Sequence, residues 1–168
     1  TRPLKKILTV KSGAFLPAKG MVTDGKFPVF GGNGVNGYHS EFLFEDERVV
    51  IGRVGAYCGV VHRTPPQSWI TDNALYVSDH DEDVHLDYLE WGLRLLDLHR
   101  LASTFGQPLI SGSRIYPVNL PVPEPDLQQK FTEIKIKVIQ SREAVNGAKD
   151  ESIDLFNCCV QRAFRGEL

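Results

Sequence analysis

Cysteine is scarce in this sequence. There are three, Cys58, Cys158 and Cys159. An odd count, with two of them adjacent and so poorly placed to pair with each other, argues against a disulfide framework and for a reducing, cytoplasmic setting. Nor does the chain contain a Cys-x-x-Cys. Its histidines, His39, His62, His80, His85 and His99, are scattered without metal-ligand or triad spacing, so most of them read as surface residues rather than a metal or catalytic centre. No apolar run approaches the ~20 residues of a membrane span, and the first residues lack the apolar core of a signal peptide. Net charge is also small, −2. That total hides an asymmetry: residues 1–26 carry a surplus of five positive charges and residues 64–99 a surplus of seven negative ones. Two solvated faces would explain this pattern, and so would a basic end turned toward a polyanion.

What the chain does have is glycine, and in one place. Eight of its 15 glycines fall between Gly25 and Gly59. Such a cluster implies positive-φ turns or the close approach of another backbone or a ligand. Between the glycines lie Asn33, Asn36, Tyr38, Arg53 and Tyr57. These side chains hydrogen-bond and stack, but they form no nucleophilic or proton-transfer set. The stretch reads as a binding surface. Phe30-Gly31-Gly32-Asn33-Gly34 matches the F-x-G-x-G loop of adenosylmethionine enzymes, which must open a helix. Here Val35-Asn36-Gly37-Tyr38 follows instead, with a glycine where that helix would start. Thr64-Pro65-Pro66-Gln67 is an equally poor match to an amino-methyltransferase motif, and the chain is short for that fold. Arg53, between glycines, fits either a base-reading or a buried structural arginine. Asp72-Asn73 fits a turn held by Asx hydrogen bonds.

At 168 residues the chain can bury one core with an appendage. Val49-Val50-Ile51 reads as a buried strand, and Phe27 to Phe30 as a short one in which Pro28 requires an edge or first position. Gly59 to His62 continues a strand, and Trp69 to Val77 is another, interrupted at Asp72-Asn73. Asp87 to Leu101 has leucines near helical spacing. Arg114 to Val118 reads as extended, leading to a linker at Leu120-Pro121-Val122-Pro123.

From Leu127 the pattern changes. Leu127, Phe131, Ile134, Val138, Ser141, Val145, Ala148, Ser152, Leu155 and Cys159 recur at alternating spacings of four and three, a heptad series. A helix of that length spans roughly 50 Å and calls for a partner helix along Leu127, Phe131, Ile134, Val138, Val145, Leu155 and Cys159. Gly147, mid-helix, costs about 1 kcal/mol against alanine.

Phe27-Pro28-Val29, Gly31 to Tyr38, Ile51 to Gly59 and Thr71-Asp72-Asn73-Ala74 together resemble the target recognition domain of type I restriction-modification specificity subunits. Pro121-Val122-Pro123 before Leu127-Gln128-Gln129 is similar to the point where such domains pass into a conserved helix. Gln161 to Leu168 resembles the end of that family's helical spacer. The resemblance implies an α+β fold: a mixed or antiparallel β-rich DNA target recognition domain at residues 1–123, followed by a long C-terminal coiled-coil helix at residues 124–168. It further implies no catalysis and no cofactor in this chain. Adenosylmethionine is expected on partner methylation subunits, which modify adenine, and DNA cutting on a separate restriction and motor subunit. Family members hold two recognition domains and two long helices, each domain reading half of a split double-stranded target. This chain has one of each, so it matches a half-length subunit that forms a homodimer or a fragment that pairs with a second spacer helix. A two-fold dimer would read an inverted, interrupted repeat.

On that resemblance, the candidate base readers are Ser12, Asn33, Asn36, Tyr38, Arg53, Tyr57, Ser113 and Arg114. The geometrically natural pairings are Asn to adenine and Arg to guanine. Lys11, Lys19 and Lys26 would neutralise phosphates and add salt dependence. The competing class is a coiled-coil protein-interaction module that assembles a complex without base readout; it predicts no salt-dependent duplex binding.

Overall fold

The computed structural model describes the backbone of residues 1–103 and 106–164 and the side chains of residues 1–103 and 106–147. The chain divides into two units, Thr1–Gln128 (the head) and a second beginning at Gln129.

In the head, β5 (Val49–Gly52) is the innermost element. All four of its residues are buried, as a continuous β-branched run requires when both faces of a strand are covered. Successive side chains point to opposite faces. Val49 and Ile51 therefore join one apolar cluster and Val50 another. β5 lies in a four-stranded antiparallel sheet with β2 (Leu8–Ser12), β6 (Val61–Arg63) and β8 (Ala74–His80), ordered β2-β8-β5-β6. One face of that sheet packs Leu75 and Val77 with Leu89 and Leu93 of helix α1 (Leu86–Leu95).

The smaller cluster behind the other face is Phe30, Val50, Ile70 and Ala74. It is supplied partly by a second sheet: β3 (Phe27–Gly31) pairs antiparallel with β4 (Gly34–His39) and parallel with β7 (Trp69–Ile70). β3 is the central strand there, not the edge that Pro28 implies. The resolution is that β7 pairs only with Val29 and Phe30, so Pro28 faces no ladder on that side and its missing N–H costs nothing. The polar step expected at Asp72-Asn73 separates β7 from β8, which belong to different sheets. Finally, β1 (Arg2–Pro3) pairs with β9 (Asn119–Leu120), Arg2 opposite Leu120.

Two helical readings change. The leucine-rich segment does not run as one helix to Leu101. It breaks at Asp97, whose φ of 45° is left-handed, and rewinds as a 3₁₀ turn at Leu98–Leu101. The break leaves Leu95 exposed and puts Leu98 into the core. Residues from Gly112 to Ile115, in part read as extended, form a single helical turn, α2.

Charged groups tie α1 to the sheet. Arg63 on β6 meets Glu47, Asp87 and Glu90, and Arg94 meets the buried Glu90 at 2.7 Å. Burial lowers the proton affinity of the Arg63 guanidinium, but its carboxylate partners outweigh that and raise its pKa further. Arg2 also pairs with Asp81, so the acidic segment between residues 64 and 99 is not wholly a solvated face. Of the histidines expected at the surface, His62 is half-buried, and its Nε2 meets no partner.

Helix α3 runs Pro125–Phe164, with Pro125 and Asp126 suited to its first turn. Gln128, fully buried, belongs to the head. Its amide accepts from the His85 N–H (2.9 Å) and donates to the carbonyls of Asp83 (2.9 Å) and Pro123 (2.8 Å). In the second unit, Ile134, Val138 and Val145 are 61%, 60% and 68% exposed, and Leu127, in the helix's first turn, is exposed too. Phe131 is partly buried. Ile136 and Ile139, outside the heptad series, are also exposed. The side chains of Leu155 and Cys159 lie outside the described residues.

Candidate nucleic-acid interface

The site grows from three loops that the glycines bring together. β3 and β4 form a tight hairpin with Gly31 opposite Gly34, leaving Gly32-Asn33 at the tip. Neither Gly32 nor Asn33 has a positive φ; the left-handed residue is Gly34, at +92°, as in hairpins where a type I turn is followed by a left-handed glycine. Further along β4 the register slips: Val35 faces Phe30 but Gly37 faces Val29. Asn36 is thus the extra residue of a β-bulge, a device that redirects a side chain. Its amide lies across Gly31, where an added Cβ would come within 2.1 Å of the Asn36 nitrogen.

The second loop follows β5. Gly52 exchanges hydrogen bonds with Gly59 and Val60, and Tyr57 projects from the turn, half exposed. A Cβ on Gly52 would sit 2.2 Å from the Tyr57 carbonyl and 2.4 Å from that of Gly32. The hairpin tip and this turn therefore touch through backbone, which only glycine permits.

Arg53 ties these loops to the rest. Its N–H donates to the Asn73 carbonyl (3.0 Å), and its own carbonyl accepts from Ile110 (2.9 Å). Its Nη1 donates to Ser12 Oγ (3.0 Å) and to the Asp72 carbonyl (3.2 Å). The third loop arrives through the pairing of Val54 with Leu109 and a bond from Gly55 N–H to the Pro108 carbonyl (2.9 Å). The cysteine in this region, Cys58, is buried, which raises its thiol pKa.

Together these contacts shape a cleft of about 400 Å³ lined by Gly32, Asn33, Asn36, Val54, Tyr57, Asn73 and Gln107. Four of the seven are carboxamides, each offering one acceptor and a two-proton donor. No carboxylate or cation is among them, and no group of described residues could hold a metal ion. Such a lining suits hydrogen-bond recognition, with the Tyr57 phenol its one titratable group among the described residues.

Of the residues singled out in the sequence, Asn33, Asn36 and Tyr57 line the cleft, while Ser12 and Arg53 bond to each other beside it. The others stand apart from its lining. Lys19 is exposed on a 3₁₀ turn, Ala18–Gly20. Tyr38 lies opposite Pro28 on β4. Ser113 bonds Ser111 (2.8 Å), and Arg114 donates to the Leu101 carbonyl (3.1 Å). Two polar lining residues fall outside that set. Asn73 reads in the sequence as part of a turn, and Gln107 carries no signal beyond the Gly106 and Pro108 beside it.

No family model matches the chain. It is 30% identical over 131 residues to the Escherichia coli type I restriction enzyme EcoprrI specificity subunit, a match covering 76% of this chain and 32% of that protein. Among solved structures, it superposes on the type I restriction-modification S subunit of M. genitalium with a TM-score of 0.72 at 17% identity, over 84% of this chain and 38% of that one. The HsdS subunit of Thermoanaerobacter tengcongensis matches with a TM-score of 0.61 at 18% identity, over 99% and 44%. A chain from a structure addressing complex assembly and conformational transition of the type I restriction-modification system gives 0.65 at 18%, over 99% and 46%. The present chain thus spans about a third of its curated relative and under half of each solved one. The structural matches share this fold over 84–99% of the chain, and the sequence match runs through 76% of it. This chain belongs to the specificity-subunit family of type I restriction-modification systems.

Proposed function

We propose that residues 1–123 are a DNA target recognition domain reading one half of a bipartite duplex target, and that residues 124–168 are a spacer helix. The observation that carries this reading is the carboxamide cleft: hydrogen-bonding side chains without catalytic groups, in a fold shared with specificity subunits. Base edges specify and phosphates position. Asn33, Asn36 and Tyr57 act as readers, while Lys11, Lys19 and Lys26 neutralise backbone charge. Arg53 and Ser12 hold the reading loops together. The exposed Ile134, Val138 and Val145 pair with the same helix of a second copy or with a second spacer helix. Partner methylation subunits bring adenosylmethionine and modify adenine, and restriction subunits join through them, so this chain directs chemistry without performing it.

The test is duplex binding by the chain assembled with its methylation subunits. The expected result is preference for the duplex that the system methylates, with affinity falling steeply as salt rises. Equal affinity for all sequences at every salt concentration would sink the reading in favour of a protein-interaction module.

A further inference from the structure

The chemistry of the cleft narrows what it can read. In the major groove guanine presents two acceptors and calls for a two-donor fork, such as arginine or lysine. Cytosine presents a donor and calls for a carboxylate. Adenine presents an acceptor, N7, beside a donor, N6–H, which a carboxamide complements with both of its ends. The described residues lining the cleft include four carboxamides and neither a cation nor a carboxylate. The nearest arginine is committed in part to the chain itself, since Arg53 Nη1 donates to Ser12 and to the Asp72 carbonyl. Asn36 is the best-prepared carboxamide. The bulge frees it from the regular alternation of β4, and it rests on a glycine that leaves room for its amide plane.

Resting on the DNA-reading assignment above, we infer that this cleft reads an adenine of the half-site through its major-groove edge. Asn36 makes the bidentate contact, with Asn33 and Gln107 flanking it. The reader is therefore a carboxamide presented by a bulged hairpin rather than an arginine.

The experiment uses the full chain with its methylation subunits and a duplex of the sequence they methylate. Each adenine of the half-site is replaced in turn by 7-deazaadenine, which removes the N7 acceptor and keeps the Watson–Crick pair. At one position affinity falls by about 5- to 150-fold, the range of a good bidentate contact. Asn36→Ala lowers affinity for the natural duplex by a similar factor and has little further effect on that modified duplex. Asn36→Asp, which preserves shape and removes the donor, behaves the same way and guards against a folding defect in the alanine variant. If Asn36→Ala and the 7-deaza substitution multiply at every adenine, or no adenine is sensitive while sequence preference persists, the inference is overturned and DNA reading stands. Loss of sequence preference in the wild-type complex would instead remove the DNA-reading assignment itself.

Discussion

The head and the helix beyond Gln128 treat the same residue types in opposite ways. In the head, Leu4, Val49, Ile51, Leu89, Leu93 and Ile110 have no exposed surface at all, and one strand serves two clusters at once. Past Gln128, Ile134, Val138 and Val145 stand mostly in solvent. A leucine or isoleucine left exposed rather than buried forgoes roughly 1.5–3 kcal/mol. The head has therefore built a core of its own, with scattered exceptions such as Phe15 and Leu95 left exposed, while the described part of the second unit holds a row of apolar side chains in solvent. Patches of this kind mark interaction sites. On the function proposed above, stability belongs to one unit and association to the other.

The sharpest way to break that assignment is to damage each unit separately. Leu93→Ala, in the buried face of α1, should cost the head about 2–5 kcal/mol in a urea melt. Ile134→Asp, on the exposed helix, should leave the melt within about 0.5 kcal/mol while removing self-association or pairing with another spacer helix, read by light scattering. If Ile134→Asp unfolds the head, the two units are not independent in the way described.

A smaller effect is expected at the junction. Gln128→Ala strips partners from the His85 N–H and from the carbonyls of Asp83 and Pro123. Leaving a buried group unpaired costs about 1–3 kcal/mol, so the head should melt earlier by that much. Amide exchange at His85 should speed up as well. An unchanged melt would mean that water or a rearranged loop replaces the glutamine.

The mildest prediction concerns pH. His62 is held below its usual pKa, first by burial and then by the charge of Arg94. The unfolded chain therefore binds a proton that the folded head resists. Stability is fully present above the unfolded value of about 6.5 and declines as pH falls through it toward the lower folded value. His62→Gln should flatten the head's stability between pH 7 and 5, measured by urea melts across that range. A slope unchanged by the substitution would assign it to other groups.

How far the sequence reveals this arrangement depends on the range of the interaction. Val49-Val50-Ile51 is legible because a β-branched run bounded by charge and glycine has few other fates, and the Asp72-Asn73 step is legible as punctuation. The end of α1 is not. Leucine spacing continues through Asp97, and only the demand of the core for Leu98 breaks the helix. α2 is too short to carry a periodic signal. In the site, Asn33, Asn36 and Tyr57 stand out as polar residues among glycines. Gln107 reaches them through the Val54–Leu109 pairing, a contact between positions 55 residues apart that no local pattern announces. Gln128 is hidden for a similar reason. A glutamine in the first turn of a polar helix looks solvated, and only the loop of Asp83 to His85 makes it a buried group.

The pairing of Arg2 with Leu120 has a consequence for how such a head can be inherited. Partners across an antiparallel ladder sit about 5 Å apart, so the first and last strands of the head lie side by side. A domain tethered at adjacent points can be exchanged between longer chains with little disturbance to what flanks it. The loops that line the cleft, at the β3–β4 tip and after β5, lie within that segment. If the cleft reads DNA as proposed, exchange of a whole head changes what is read in a single genetic event.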